Sequence, residues 1–289
     1  AMGNLPDIIE YDWNSYSGGP AKALEDGVIQ ELNLDDAPNL KSYVKSHDEV
    51  DKQIITDDKK YFGFPFIRGD RYLQTSAGII VRKDWLDDLN LPIPETIDDW
   101  TNTLTAFKEK KNANAPLDLA PFHYPFGAFV GAYNVTDGLY VDNDKVIYGP
   151  EQEGYKQFLT QMNDWYKKGL LNQDFVSLDN SIIQSDILNG NSGATAGSVG
   201  GNLGKWLAAK PDDKFDLAAA KYPTLKKGEK PEFGQMQNSV TGTYAAISRD
   251  CKNAELCKKI LDYGYSEEGQ MLFNFGIEGE SYEMKDGYP

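Results

Sequence analysis

The stretch SAGIIVRKDWLDDLNLPIPETIDDWTNTLTAFKEKK, residues 76–111, encodes a strand, a turn and a helix in succession. The run from Ala77 to Val81 is apolar, as is typical of a strand buried within a sheet, and the charged residues after it end the strand. Helix is excluded around Pro92 and Pro94, because each proline fixes its own φ and biases the residue before it towards extended backbone. A helix can therefore begin only after these prolines.

That helix has a capped start and one apolar face. Thr96 followed by Asp99 three positions on is a variant of the capping box, in which each side chain accepts a hydrogen bond from the other residue's backbone N–H. Apolar residues then recur at helical spacing, at Ile97, Trp100, Leu104 and Phe107. A buried strand followed by a helix with one buried face predicts an α/β fold.

This order of segments, with RKDWL, PxPxT and DDW between strand and helix, resembles the bacterial family 1 extracellular solute-binding proteins. The resemblance is strongest to the maltose-binding-protein-like lipoproteins with which Gram-positive bacteria deliver sugars to ABC importers. Two other segments share it, LPDII from Leu5 and YSEEGQMLFNFGIEGESY from Tyr265 to Tyr282.

The resemblance implies an α/β, two-lobe fold of the periplasmic-binding-protein type II class. Lobe I is expected to comprise residues 1–78 and 222–289, and lobe II residues 79–221. Family members carry a βαβ unit ahead of the LPDII strand, whereas this chain begins four residues before it. The resemblance therefore implies a chain truncated at both ends, with an incomplete first lobe whose open sheet edge another chain or a rearrangement would cover.

The chain is acidic, with a formal net charge of −16 and a sequence pI near 4.6. It has no excess of Lys and Arg to displace the counterions of a phosphate backbone, so nucleic acid is not an expected partner. The longest apolar run, Phe126 to Tyr133, has eight residues and cannot span a bilayer. Location follows from the resemblance, which implies an extracellular protein held on the outer face of the cell membrane by a lipid anchor absent from this chain.

Candidate ligand-binding residues first occur after the LPDII strand. Asp12, Trp13, Asn14 and Tyr16 follow its carboxyl end, the edge at which ligands bind in open α/β sheets. An exposed Trp ring beside carboxylate and amide groups suits a sugar, because the ring stacks on the sugar and the polar groups bind its hydroxyls. The resemblance favours this role for Trp13. The alternative is that Trp13 is an ordinary core residue.

Further candidates lie where the resemblance places ligand contacts. Arg68 would clamp an anionic sugar such as a uronate through its guanidinium, unless it only forms surface salt bridges. Tyr124 and Phe126, at the entrance of a predicted helix, would present a stacking aromatic ring, with core packing as the alternative. Glu278 and Glu280 would reach sugar hydroxyls or would simply be solvated.

A strand of small residues, Gly193 to Val199, ends in the sequence GGNLGKW. This is not a phosphate loop, because the first glycine of that motif is missing and Trp206 replaces the required Ser or Thr. Small residues at a strand end instead permit a ligand to approach the backbone, and the next helix would expose free N–H groups. We therefore expect Asn202 and Trp206 to face a sugar, as the resemblance also implies for Trp206.

No metal site and no cofactor are predicted. Where the resembling lipoproteins often carry a calcium loop of the form DxNxNGxxDE, this chain has KKNANAPLD, which lacks ligand oxygens at the alternate positions. The Asp-Asn-Asp sequence within LYVDNDKVIY is interpreted as the turn of a hairpin. Cys251 and Cys257 form either a local disulfide or two unpaired thiols.

The motifs of common enzymes are missing. His47 and His123 are isolated, and there is no HExxH or GxSxG. A carbohydrate-active hydrolase with paired carboxylates is the alternative, since an acidic chain always offers such pairs. A surface adhesin fits less well, because adhesins tend towards all-β sandwiches and this chain alternates strands with helices.

The sequence therefore predicts a binding protein and not an enzyme. The expected function is the extracellular substrate-binding component of an ABC importer, which closes two lobes around a carbohydrate, in particular an oligosaccharide. The expected partners are that saccharide and the membrane subunits of the importer.

Overall fold

The computed structural model describes residues 5–126 and 128–289, except for the side chains of residues 124–126. The strands are β1 (Ile8–Asp12), β2 (Phe64–Ile67), β3 (Ala77–Arg82), β4 (Leu117–Asp118), β5 (Leu139–Asp142), β6 (Lys145–Tyr148), β7 (Ala194–Ser198), β8 (Leu217–Ala220) and β9 (Val240–Ile247). The α-helices are α1 (Gly19–Glu25), α2 (Pro38–Lys45), α3 (Asp48–Ile54), α4 (Arg71–Gln74), α5 (Lys83–Asp88), α6 (Ile97–Lys111), α7 (Glu153–Lys167), α8 (Asn180–Asn189), α9 (Lys205–Ala208), α10 (Ala254–Tyr263) and α11 (Glu267–Phe275). No helix among these residues has the length and apolar character needed to cross a membrane.

The chain divides into two compact units, each of which combines helices with a sheet. Unit 1 comprises Ala1–Gln74 and Gln237–Pro289, and unit 2 comprises Thr75–Met236. Unit 2 is therefore inserted as one continuous segment into unit 1.

The unit boundaries lie at 74 and 237, whereas the lobe boundaries predicted from the sequence lie at 78 and 222. The reason is a set of hydrogen bonds to the start of β3. Tyr222 donates its hydroxyl to the Ala77 carbonyl at 3.0 Å, and Gln235 Oε1 accepts from the backbone N–H of Ala77 at 3.1 Å. These bonds attach the segment between Tyr222 and Gln235 to unit 2.

Unit 1 is built on a three-stranded antiparallel sheet with the order β1-β9-β2. The last strand in the sequence, β9, lies in the middle, so the unit is closed by two segments far apart in the chain. The core between this sheet and helices α1 to α3 includes Trp13, Ala23, Leu40, Ile54, Phe62 and Tyr244. Among the described residues, β1 and β2 are the edge strands; the prediction that another chain or a rearrangement covers an open edge stays a prediction.

Unit 2 is built on a four-stranded sheet with the order β4-β7-β3-β8, in which β4 runs parallel to β7 and the other pairs are antiparallel. Strand β3 is buried on both faces. Ile79 and Val81 belong to one core cluster and Ile80 to another on the opposite face. The prediction of a strand buried within a sheet is confirmed, and the sheet is mixed.

Helix α6 forms as its sequence predicts. Asp99 N donates to Thr96 Oγ1 and Thr96 N donates to Asp99 Oδ2, each at 3.1 Å, which completes the capping box. Its apolar face is buried at Ile97, Trp100, Leu104 and Phe107. The stretch that decides the fold therefore places the strand at the centre of the unit 2 sheet and packs the helix on one face of it.

Candidate ligand-binding site

Asp12 and Asn14 lie at the carboxyl end of β1, where the strand passes into a 3-10 turn. Asp12 begins the turn, because its carboxylate accepts from Asn14 N at 3.2 Å and from Ser15 Oγ at 2.9 Å. The two side chains cover Gly242 of β9, where an added Cβ would lie 2.5 Å from Asp12 Oδ1 and 2.6 Å from Asn14 Nδ2. Gly242 also has a φ of +90°, which residues with a Cβ rarely adopt. A carboxylate and an amide are thus held side by side at the end of the strand.

Trp13 takes the alternative role that the sequence left open for it, that of a core residue. Its side chain is 2% exposed and packs within the core of unit 1. The indole N–H donates to the Tyr244 carbonyl at 3.1 Å. With this burial, no ring face of Trp13 is left for a sugar.

Tyr11 is the aromatic residue that β1 presents to the surface, and sequence reasoning missed it. Its ring packs edge-on against Trp13, with 5.4 Å between ring centroids, and its side chain is 43% exposed. The available signal was its position one residue before Asp12, next to the candidates Asp12, Trp13 and Asn14.

Tyr16 is held by helix α1. Its hydroxyl donates to Asp26 Oδ2 at 3.0 Å, and Lys22 Nζ lies 2.7 Å from the other oxygen of Asp26. The hydrogen bond to the Asp26 carboxylate raises the pKa of Tyr16, and the hydrogen bonds from Lys22 and then Tyr16 lower the pKa of Asp26. Tyr16 therefore ties the turn after β1 to α1.

Arg68 follows β2 and is half-buried without an acidic partner. Its Nε donates to Gln237 Oε1 at 3.0 Å, and its backbone N–H donates to the Ser239 carbonyl at 2.7 Å. No carboxylate among the described residues lies within 4.0 Å of its guanidinium. The guanidinium is thus positioned while its charge is uncompensated, unlike that of Arg82, which pairs with Asp84.

Phe66 is a second aromatic residue that sequence reasoning missed. The Arg68 guanidinium lies 5.1 Å from the centre of its ring, and the side chain is 57% exposed. Phe62 and Phe64 precede it at alternate positions and are buried, so strict alternation predicts a buried Phe66. A register shift between Pro65 and Ile67 interrupts the pairing of β2 with β9 at this residue. A bulge of this kind is not visible in the residue types.

In unit 2, Asn202 lies in the turn that follows β7. Its Oδ1 accepts from the backbone N–H of Ser198 at 2.8 Å and from Ser198 Oγ at 3.0 Å. The side chain covers Gly197, where an added Cβ would lie 2.9 Å from Asn202 Cγ. Asn202 itself lies within a π-helical segment, Val199–Gly204. Asn202 therefore caps the end of β7 through its Oδ1 atom, and its Nδ2 atom is left available to donate a hydrogen bond to a ligand.

Trp206 is also a core residue, contrary to the expected exposure at a helix start. Its side chain is 1% exposed and packs among Ile80, Ile187, Phe215 and Leu217. The helix it belongs to, α9, has only four residues and begins directly after the π-helical segment, and Trp206 is its buried residue. Trp206 stabilises unit 2 and presents no free ring face.

The side chains of Tyr124 and Phe126 lie outside the described residues, so their predicted stacking role stays a prediction. Their backbone belongs to a 3-10 segment, Pro121–Phe126, where the sequence predicted the start of a longer helix. His123 in the same segment is buried, and this burial lowers its pKa to about 4. Its ring is therefore neutral near pH 7.

Glu278 and Glu280 lie in the turns after α11, and both are exposed. Gly279 N donates to the Tyr282 carbonyl at 2.8 Å, and Glu280 N donates to the Ile277 carbonyl at 3.1 Å. These bonds fold the GIEGESY sequence into a compact turn that holds both carboxylates in solvent. Their role in ligand binding stays a prediction.

The KKNANAPLD sequence and the Asp-Asn-Asp sequence of LYVDNDKVIY have structural roles. Asn112 ends α6 in the left-handed conformation, with φ +53°, and Asn114 pairs with Asn191 through their side-chain amides. Asn143 and Asp144 form the turn of the β5–β6 hairpin, as predicted, with φ of +48° and +61°. Within the described ranges, no three His, Cys, Asp or Glu side chains lie together in a way that could hold a metal ion.

The carboxyl group with the most strongly raised pKa lies away from these residues, in β4. Asp118 is 0% exposed, and burial, opposed by a hydrogen bond from Asn172, raises its pKa to about 7. A residue buried this completely cannot protonate a bound substrate. It therefore belongs to the core of unit 2.

The model of the family described as bacterial extracellular solute-binding protein matches residues 3–271. The chain is 27% identical to lipoprotein LipO of Bacillus subtilis strain 168, over 99% of this chain and 58% of LipO. It is 29% identical to the fructooligosaccharide ABC transporter substrate-binding protein FusA of Streptococcus pneumoniae serotype 4, over 60% of this chain and 36% of FusA.

Among solved structures, the alginate-binding protein AlgQ2, crystallised without calcium ion, superimposes with a TM-score of 0.78. The match covers 98% of this chain and 60% of AlgQ2 at 24% identity, which establishes the likeness of fold. The α/β, two-lobe solute-binding-protein fold predicted from the sequence is confirmed. The chain spans about three fifths of the length of LipO and of AlgQ2. With the family model matched from residue 3 to residue 271, the chain belongs to the bacterial extracellular solute-binding proteins.

Proposed function

We propose that this chain binds a carbohydrate, in particular an oligosaccharide, as part of the extracellular substrate-binding component of an ABC importer. The observation that carries the proposal is the family match over residues 3–271. The names of its relatives support the ligand class, because FusA is a fructooligosaccharide-binding protein of an ABC transporter and AlgQ2 binds alginate. The importer's membrane subunits are then the protein partner, and nucleic acid is not one.

The proposed binding residues in unit 1 are those at the strand ends. Asp12 and Asn14 would accept from and donate to sugar hydroxyls, since both lie at the end of β1 and neither is fully buried. Tyr11 and Phe66 take over the aromatic role expected of Trp13, because each exposes part of its ring. Arg68 would bind a carboxylate, because its charge has no acidic partner among the described residues.

In unit 2, the proposed contribution is the turn after β7. Asn202 would donate through its amide nitrogen, and the neighbouring glycines Gly200 and Gly201 are exposed, which gives a ligand access to the backbone. Tyr124, Phe126, Glu278, Glu280 and Tyr16 remain proposed contacts from the resemblance alone. Contact with a bound ligand would remove these groups from water and strengthen their hydrogen bonds.

We also infer that the chain is a binding protein without catalytic activity. Hydrolysis of a glycosidic bond needs a carboxyl group with a raised pKa that reaches the sugar. In this chain the carboxyl group with a raised pKa is that of Asp118. It is fully buried in β4, where Asn172 donates a hydrogen bond to it, so it does not reach a bound sugar. The family places the protein outside the cell, and a lipid anchor on the outer face of the membrane is the proposed means of attachment.

A thermal-shift screen tests the proposal. A saccharide that binds only the folded state raises the melting temperature in proportion to RT ln(1 + [L]/Kd). We expect a rise with at least one class among neutral fructo- and galacto-oligosaccharides and oligouronates, and recovery of the saccharide intact. No shift with any class would contradict carbohydrate binding, and shortened saccharide would establish the hydrolase instead.

A further inference from the structure

The two cysteines of the chain are brought into contact by the fold. Cys251 lies in the loop after β9 and Cys257 lies in the first half of α10, and their Sγ atoms are 3.6 Å apart. Both residues are held by backbone hydrogen bonds. Cys251 N donates to the Ser248 carbonyl and Cys257 N donates to the Asn253 carbonyl, each at 3.2 Å.

We propose that Cys251 and Cys257 form an intramolecular disulfide in the extracellular protein. The bonded sulfur atoms of a disulfide lie about 2.0 Å apart, so the two thiols must approach by only about 1.6 Å. Cys251 is in a loop, where side-chain and backbone rotation of this size is easily accommodated. Extracellular proteins are exposed to oxidising conditions in which such a bond persists, and the chain contains no third cysteine to compete.

Bond formation requires an oxidant, for which we specify a small disulfide such as oxidised glutathione. The Cys251 thiolate attacks one sulfur of the small disulfide and releases one small thiol, because Cys251 is the more exposed of the two. The Cys257 thiolate then attacks the Cys251 sulfur and releases the second small thiol. The protein loses two protons and two electrons, and the small disulfide is reduced to two thiols.

The disulfide would cross-link the loop after β9 to helix α10. Ser248 N donates to the Asp7 carbonyl at 3.0 Å, so this connection also holds the start of β1. The opposite end of β9 carries Gly242, beneath Asp12 and Asn14. Oxidation is therefore expected to stabilise unit 1 without changing its proposed ligand-binding end.

The test uses the full chain, purified under reducing conditions and then incubated with oxidised glutathione. Thiol titration in denaturant should fall from two free thiols to none, and the mass should decrease by two hydrogens. The melting temperature of the oxidised chain should rise by about 3–8 °C, as expected for a short closed loop. Addition of a strong reductant should reverse all three changes.

The matched control is Cys251→Ser, which leaves the buried Cys257 without a partner. This variant should show the same melting temperature before and after oxidation, and so should the double variant Cys251→Ser/Cys257→Ser. Two free thiols after oxidation, a covalent dimer on a non-reducing gel, or a lower melting temperature on oxidation would overturn the proposal. None of these readouts depends on a saccharide ligand.

Discussion

Asn172 Nδ2 donates a 2.7 Å hydrogen bond to Asp118 Oδ1, while Oδ2 of this fully buried carboxyl group has no hydrogen-bond partner among the described residues. Asp186 lies close enough for its charge to raise the pKa of Asp118 further, after burial, which is the main cause. An ionised carboxylate with one unsatisfied oxygen is costly in a protein interior. The folded chain therefore holds a proton on Asp118 more tightly than the unfolded chain does.

This relationship predicts a stability that depends on pH. The folded-state pKa of Asp118 is about 7, well above that of an exposed aspartate, so the folded state binds the proton more tightly. The contribution is fully present below about pH 4 and is lost as the pH rises towards 7. Asp118→Asn should remove this loss and stabilise the chain at pH 8 by about 1–4 kcal/mol, with little change at pH 4. Urea unfolding at pH 4, 6 and 8 measures it.

A matched control for this experiment is Asp144→Asn in the exposed turn of the β5–β6 hairpin. It should leave the pH profile of stability unchanged. If the profile of Asp118→Asn runs parallel to that of the unchanged chain, the proposed proton on Asp118 is contradicted.

Burial of Trp206 predicts a loss of stability when its side chain is truncated. Trp206→Ala should destabilise unit 2 by about 3–5 kcal/mol, because it opens a cavity among Ile80, Phe215 and Leu217. Trp206→Phe keeps most of the volume and should cost less. Denaturant unfolding gives both values. Unchanged stability of the alanine variant together with weaker saccharide binding would restore Trp206 to the surface role.

The packing of Asp12 and Asn14 over Gly242 predicts that a single methyl group disturbs them. Gly242→Ala would place a Cβ 2.5 Å from Asp12 Oδ1 and should destabilise the chain by about 1–3 kcal/mol more than Gly228→Ala. Gly228 is the matched control, because its φ is +86° and an added Cβ meets nothing within 4 Å. Both variants place an alanine at a positive φ, and only Gly242→Ala also brings its Cβ against Asp12 and Asn14. The difference between their thermal stabilities therefore measures the steric clash alone. Equal losses would show that Asp12 and Asn14 move aside freely.

The uncompensated charge of Arg68 predicts a preference for acidic saccharides. Arg68→Gln should weaken binding of oligouronates by about tenfold or more while leaving neutral oligosaccharides unaffected, since a guanidinium–carboxylate pair is a strong, directional contact. Arg71→Gln, at an exposed position in α4, is the control. Isothermal titration calorimetry compares the variants. A ligand that is neutral and insensitive to Arg68 would refute this preference and leave the broader proposal standing.

Much of the fold could be predicted because local signals and burial agreed. In residues 76–111, the apolar strand, the prolines and the capping box each indicate the same element that the structure contains. The segment from 222 to 236 was expected in lobe I and belongs to the compact unit 2, and its proline and glycine residues do not indicate where it packs. The hydrogen bonds that Tyr222 and Gln235 form with the backbone of Ala77 hold this segment on unit 2. No local sequence pattern predicts these bonds.

The candidate site was predicted less well, for a physical reason. Residue type and position identified the strand ends, and Asp12, Asn14 and Asn202 do lie there. The direction of an aromatic ring depends on the space its neighbours leave. Trp13 and Trp206 fill the cores of their units, whereas Tyr11 and Phe66 face outward. The sequence around a tryptophan at a polar strand end is the same whether its ring is buried in the core or exposed to a ligand.

Trp13 donates its indole hydrogen bond to a residue 231 positions later in the chain, in the middle strand of the unit 1 sheet. A ribosome finishes the whole inserted unit before it makes that strand, so β1 and β2 emerge first and cannot pair through β9 until unit 2 has been made. Contacts this distant slow folding, and the early strands expose apolar surface meanwhile. Unit 2 is made as one uninterrupted segment, whereas the apolar surface of β1 and β2 stays without its middle strand until the segment that begins at Gln237 has been made.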